Sequence, residues 1–123
     1  MKQVLFTLLI SLFLAACDTS SNATQTRAAI AGDASTGQKL FLANCSECPG
    51  ADARGTDKGP PLIHKIYEPS HHADIAFVLA AKQGVRQHHW PFGDMPAQPE
   101  VSEQQIRDII GWVRQEQRKA GIY

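Results

Sequence analysis

The sequence shows no excess of charge of either sign, and none of its segments reads convincingly as a β-strand. Lys and Arg together number 12, as do Asp and Glu, within 123 residues. A nucleic-acid-binding protein would be expected to carry a basic excess, so this balance argues against a nucleic-acid partner. Because the regular patterns that remain are helical, we predict an all-α fold. The length is that of one small domain.

The first 16 residues have the pattern of a secretory signal peptide. Lys2 is followed by an apolar run that is too short for an ordinary membrane-spanning helix, and then by small residues. The end of this run, Leu14-Ala15-Ala16-Cys17, resembles the bacterial lipobox. That resemblance implies cleavage before Cys17 and attachment of a lipid to it. The alternative is a plain signal peptide followed by a chance cysteine.

The lipobox-like sequence also predicts where the protein resides. It implies a protein of the bacterial cell envelope, anchored to the membrane by its lipid and facing the periplasm. Asp18 resembles the signal that retains lipoproteins of enteric-type bacteria at the inner membrane. Residues 17–32 are small and polar, which favours a lipidated flexible tether after the signal peptide 1–16. The folded domain is predicted to cover residues 33–123.

Three main helices are predicted within this domain. The first covers residues 34–45 and has Asp33 as its N-cap. The third covers residues 101–121 and begins with a capping box formed by Ser102 and Gln105. This third helix is the clearest of the three. Its apolar residues recur at the spacing of a buried helix face, namely Ile106, Ile109, Ile110 and Val113.

The second helix is predicted within residues 70–84, between a Ser70 cap and a stop at Gly84. Its apolar stripe consists of Ile75, Val78 and Leu79. The stretches on either side, 49–69 and 85–100, are irregular and rich in Gly, Pro and His. Irregular loops of this length are unusual in a small compact domain. A buried cofactor on which the loops pack would account for them.

Several short patterns follow one another along the domain in a fixed order. They are Gly37 and Phe41 on the first helix, the pair Cys45 and Cys48, the segment Gly59-Pro60-Pro61-Leu62, the pair Met95-Pro96, and Trp112 on the last helix. In this order and spacing they resemble the class I cytochrome c family, from about residue 33 to the C-terminus. The surrounding sequence is also similar to a bacterial subgroup of small membrane-linked cytochromes.

The resemblance implies a haem c cofactor and a function. Cys45 and Cys48 would attach the haem, and Met95 would be the distal ligand of its iron. The alternative for Met95 is a residue that fills a gap in the core. A protein of this family carries single electrons between larger redox proteins and is not an enzyme. The resemblance further implies that Trp112 packs across the first helix near Gly37.

Position 49 departs from the family pattern. The haem-attachment signature C-x-x-C-H has a histidine there, whereas Pro49 has no side-chain lone pair and no backbone N–H. Four hypotheses stay open. In the first, a single base change converted a His codon to Pro. In the second, haem is held by the cysteines or by packing, and another residue is the axial ligand, for which His64 is the first candidate. Otherwise the chain is a haem-free descendant with a Cys45–Cys48 disulfide, or it holds a metal site of cysteines and histidines.

Four of the five histidines form two adjacent pairs, His71-His72 and His88-His89. Neighbouring residues on a helix point about 100° apart, so His71 and His72 are not expected to share one metal ion, although one residue from each pair could. The alternative is that the first pair only begins a helix and the second packs beside the cofactor. A haem-free binding or structural lipoprotein, using the cysteine disulfide or a His/Cys metal site, is therefore the second functional hypothesis.

Overall fold

The structure is a computed structural model that describes residues 32–123. It contains three α-helices, α1 (Ala34–Asn44), α2 (Asp74–Gln83) and α3 (Glu103–Lys119), with a short 3-10 turn at Lys65–Tyr67. The described part of the chain has no β-strand, and its β-pairing is an isolated bridge between Val85 and Met95. The prediction of an all-α fold with three main helices and long loops is confirmed.

The predicted signal peptide and the lipidation site at Cys17 lie outside the described residues, as does the tether up to residue 31. Gly32, the first described residue, already packs against α3. It has a φ of +70°, and a Cβ there would lie 2.2 Å from the carbonyl oxygen of Arg107. From Gly32 to the C-terminus, no helix has both the length and the apolar character that crossing a membrane requires.

The fold centres on the crossing of α1 and α3. Gly37 lies at this crossing, where a Cβ would stand 1.8 Å from the carbonyl oxygen of Asp108. One turn later, the buried ring of Phe41 packs against Trp112, with 4.5 Å between the ring centroids. The absence of a side chain at position 37 therefore lets the two backbones approach, and the aromatic pair fills the space beside them.

The start of α1 is tied to α3 through its cap. The Asp33 carboxylate accepts hydrogen bonds from the backbone N–H groups of Ser35 and Thr36, as predicted for an N-cap. The backbone N–H of Asp33 in turn donates to the Asp108 carboxylate at 2.9 Å. The hydroxyl of Thr36 contributes most to lowering the pKa of Asp33, because its hydrogen bond favours the ionised form.

Helix α3 supplies most of the core. Its N-terminus has the predicted capping box, in which Ser102 Oγ accepts from the backbone N–H of Gln105 and the Gln105 side chain accepts from that of Ser102. All four predicted apolar positions of the helix are buried. The buried apolar residues of the domain are Phe41, Ala53, Ile63, Val101, Ile106, Ile109, Ile110, Trp112 and Val113.

Helix α2 departs from the prediction at its start and on its buried face. It begins at Asp74, and its N-cap residue, Ala73, makes no side-chain capping bond, so Ser70 is not the cap. Ile75 and Leu79 are 61% and 46% exposed. Of the predicted stripe only Val78 packs against the core, and the other α2 residues that do so are Phe77 and Ala81.

Long-range bonding explains why the helix starts late. His71 and His72 lie in a turn, where their backbone N–H groups donate to the carbonyl oxygen of Glu68. In a helix, the carbonyl oxygen of His72 would accept a hydrogen bond from the backbone N–H of Ala76. Here it accepts from the guanidinium of Arg114, and the Ala76 N–H donates to the carbonyl oxygen of Ala73. A contact with α3 thus withdraws residue 72 from the helical hydrogen-bond pattern.

Candidate functional site

The two cysteines lie in the turn that follows α1. Cys45 is the C-cap of the helix, and its backbone N–H donates to Phe41 at 2.8 Å. Its side chain is half-buried, and this burial raises the pKa of the Cys45 thiol. Cys48, by contrast, is exposed. Within residues 32–123 both thiols are free.

The segment after the cysteines folds back onto them. A Cβ at Gly59 would lie 2.7 Å from the Cβ of Cys48, so only glycine allows this approach. The hydroxyl of Thr56 donates to the carbonyl oxygen of Cys48. The backbone N–H of Gly55 donates to the carbonyl oxygen of Pro49 at 2.7 Å. Pro49 is itself buried. The turn is therefore held rigidly around a residue that has no side-chain ligand atom.

Met95 ends a closed loop that begins after α2. Its backbone N–H and carbonyl oxygen pair with those of Val85 at 2.8 and 2.9 Å. Gly84 lies against the same bridge with a φ of +77°, and a Cβ there would stand 2.6 Å from the Met95 carbonyl oxygen. The Met95 side chain is 42% exposed, so it does not fill a gap in the core. We refer to residues 85–95 as the methionine loop.

His64, the candidate substitute ligand, is an exposed residue that caps the 3-10 turn. Its Nδ1 accepts a hydrogen bond from the backbone N–H of Ile66 at 3.2 Å. Its ring contacts the edge of Trp90, with 5.4 Å between centroids. Because Nδ1 accepts a hydrogen bond from a backbone N–H, Nε2 carries the ring proton in the neutral form. Iron binding by His64 stays a prediction, and it would require a change of tautomer or loss of this bond.

The structure brings together histidines from both pairs. One ring nitrogen from each of His71, His72 and His89 lies within 4.8 Å of the other two. The prediction that His71 and His72 lie on a helix is wrong, because both lie in the turn before α2. The helical spacing that argued against a shared metal ion therefore does not apply to them. Desolvation is the main cause that lowers the pKa of His89, and electrostatic repulsion from the neighbouring histidines lowers it further.

Sequence reasoning missed two buried polar residues of α3, Arg114 and Gln117. The Arg114 guanidinium donates to the carbonyl oxygens of Tyr67 and His72, and to the Gln117 side chain at 2.7 Å. Gln117 also donates to the carbonyl oxygens of Leu62 and Tyr67. The one available signal was that position 117 lies four residues after Val113 and continues the apolar face of α3.

Comparison with known proteins assigns the described domain to a family. The family model for cytochrome c matches residues 34–117. The chain belongs to the cytochrome c family. Membership implies covalently bound haem c and a function in electron transfer. No match was found among curated proteins or among solved structures.

The residues of this cytochrome c domain fit covalent attachment of haem, but one of the two expected iron ligands is missing. The thiols of Cys45 and Cys48 are free for attachment, and Gly59 keeps the backbone beside Cys48 clear of a side chain. The thioether of Met95 is a suitable axial donor for haem iron. Pro49 offers no donor where the family signature has histidine. The donor set thus fits covalent attachment and a thioether ligand, and it lacks the histidine that the family signature has at position 49.

Proposed function

We propose that the protein is a lipid-anchored cytochrome c that carries single electrons between larger redox proteins at the periplasmic face of the inner membrane. The signal sequence and the lipobox-like residues before Cys17 support the anchor. The observation that carries the redox role is the rigid turn of Cys45 and Cys48 against Gly59 within a cytochrome c domain. The protein is an electron carrier and not an enzyme in this proposal.

The haem site is altered in this proposal. Cys45 and Cys48 would hold the haem through thioether bonds, and Met95 would bind its iron. When bound, the haem supplies reversible one-electron chemistry at iron, and a thioether ligand raises its potential. His64 would bind the iron in place of the missing histidine. Its location supports this role, because it follows the Gly59-Pro60-Pro61-Leu62 segment that packs on the cysteine turn.

The decisive experiment is the intact mass of the chain purified from its native host, which reports residue 49 and covalent haem together. We expect proline at position 49 and one haem. Absence of haem from a chain with Pro49 would contradict the electron-carrier proposal. The haem-free alternatives, a disulfide or a metal site, would then remain. A histidine at position 49 would instead contradict the altered haem site while leaving electron transfer intact.

The proposed role of His64 is tested by combining two substitutions. In the haem-loaded protein with Pro49, His64→Ala should change the Soret band and the reduction potential, because it removes an iron ligand. In the Pro49→His background the same substitution should leave both unchanged, because the family ligand has been restored. If His64→Ala has no effect in either background, His64 is not the ligand.

A further inference from the structure

We propose that His71, His72 and His89 bind one divalent transition metal ion, of the class of Cu²⁺ or Zn²⁺, at a site that does not include the cysteines or Met95. One nitrogen from each ring lies within 4.8 Å of the other two. Nitrogens bound to one tetrahedral metal ion at 2.0–2.1 Å would be about 3.4 Å apart. The exposed residues His71 and His89 and the half-buried His72 have room to adjust to this spacing.

The hydrogen bonds of the first two histidines prepare them as ligands. Nδ1 of His71 and Nδ1 of His72 lie 2.9 and 2.7 Å from the same carbonyl oxygen, that of Ile66. A carbonyl oxygen only accepts hydrogen bonds, so each neutral ring carries its proton on Nδ1 and keeps the lone pair on Nε2. Histidines that bind metals usually donate their second ring nitrogen in this way, which fixes the tautomer and the ring orientation.

The turn that carries this pair is anchored to the core. The buried guanidinium of Arg114 donates to the carbonyl oxygen of His72 and, at 2.6 Å, to that of Tyr67. The Tyr67 ring packs against the His72 ring, with 4.8 Å between centroids. Two of the three ligands are therefore held in place before any metal binds, which reduces the entropy lost on binding.

The third ligand belongs to a different segment, the methionine loop. His89 is exposed, so a metal ion can reach it from solvent. The adjacent His88 has its ring centroid 4.3 Å from that of His89, and its Nδ1 lies 2.9 Å from the carbonyl oxygen of Arg86. By the same argument its Nε2 is available, which makes His88 the candidate for a fourth ligand.

The ligand set indicates the class of metal. Three imidazoles without a carboxylate or thiolate suit Zn²⁺ and Cu²⁺ rather than Mg²⁺ or Ca²⁺, which prefer oxygen ligands. Binding would join the turn before α2 to the loop that ends at Met95, and so would stabilise that loop by mass action. This inference does not depend on haem, because it uses none of the proposed haem-binding residues.

The test is a titration of the full-length, detergent-solubilised chain, with haem as isolated and without a polyhistidine tag. Zn²⁺ binding is measured by calorimetry, and Cu²⁺ binding is measured in parallel. We expect one equivalent of Zn²⁺, with binding weakened more than about tenfold in His71→Asn and in His89→Asn, because even outer partners of metal ligands contribute 10–100-fold. Arg86→Asn, at another exposed position of the methionine loop, is the matched control and should bind Zn²⁺ like the parent.

Several results would overturn the metal site. These are the absence of stoichiometric binding, an equal loss in the Arg86→Asn control, or unchanged binding in both cluster variants. His89→Asn is suitable because His89 makes no side-chain hydrogen bond within residues 32–123, so the variant should fold. Zn²⁺ should raise the Tm of the parent and of Arg86→Asn but not that of His89→Asn. Haem content, read separately by mass, distinguishes failure of this site from failure of the electron-carrier proposal.

Discussion

Arg114 and Asp74 form an ion pair between α3 and the first residue of α2, with 2.8 Å from Nε to Oδ1, and their environments differ sharply. The Arg114 side chain is 8% exposed, whereas that of Asp74 is 67% exposed. The guanidinium also lies 4.9 Å from the centroid of the Phe77 ring. The arginine is thus a buried donor for backbone carbonyl groups, and the aspartate is only its solvent-facing partner.

This asymmetry predicts unequal costs for removing the two partners. Arg114→Met should lower the free energy of unfolding by about 3 kcal/mol, because carbonyl groups of Tyr67 and His72 lose a charged donor. Asp74→Asn should cost at most about 1 kcal/mol, because an exposed carboxylate contributes little. Urea unfolding of the two variants, followed by circular dichroism, provides the comparison. Equal losses would show that the ion pair itself, rather than the buried hydrogen bonds, stabilises the turn.

The contact between Gly37 and α3 predicts that alanine is poorly tolerated at this position. Gly37→Ala should lower the free energy of unfolding by at least about 2 kcal/mol, since its methyl group would overlap the Asp108 carbonyl group and separate the helices. Alanine is intrinsically the better helix former, so any loss must come from packing. Gln38→Ala, at an exposed position of the same helix, should change the stability by less than about 0.5 kcal/mol. A stable Gly37→Ala variant would contradict the close crossing.

Alanine substitutions at Gly84 and Gly93 distinguish the cost of backbone strain from the cost of a steric clash with Met95. Both have positive φ values, +77° and +88°, but a Cβ at Gly93 would meet nothing within 4 Å. Gly93→Ala should therefore cost only the conformational penalty of about 1–2 kcal/mol. Gly84→Ala should cost more and should also displace Met95, because the two backbones touch. Thermal unfolding gives the first comparison, and the reduction potential of the haem-loaded variants gives the second. Matching behaviour of the two variants would refute the proposed support of Met95 by Gly84.

The two cysteines should react at different rates when the reduced chain is produced without haem. Burial restricts access to Cys45 and raises the pKa of its thiol, so less of it is thiolate at pH 8. Cys48 is exposed and should react severalfold faster with iodoacetamide, as measured by peptide mapping over time. Raising the pH should narrow the difference as Cys45 ionises. Equal rates at pH 8 would show that Cys45 is not shielded in the folded chain.

Sequence patterns predicted the elements that are formed by interactions between residues close together in the chain. The capping box of Ser102 and Gln105 and the apolar spacing after it placed α3 correctly, because both involve residues three or four apart. Asp33 was identified as a cap for the same reason. The α2 start could not be predicted in this way. It depends on a hydrogen bond between His72 and Arg114, which are 42 residues apart in the chain.

The amino-acid sequence was enough to establish the helical class, the cytochrome c pattern and the anomaly at Pro49, because these depend on residue identity and short spacings. It also identified Gly37, Phe41 and Trp112 through that pattern. The meeting of both members of one histidine pair with His89 is visible only in the folded chain. That arrangement arises because the turn carrying the pair is held on α3 by buried polar contacts, which leave no periodic trace in the sequence.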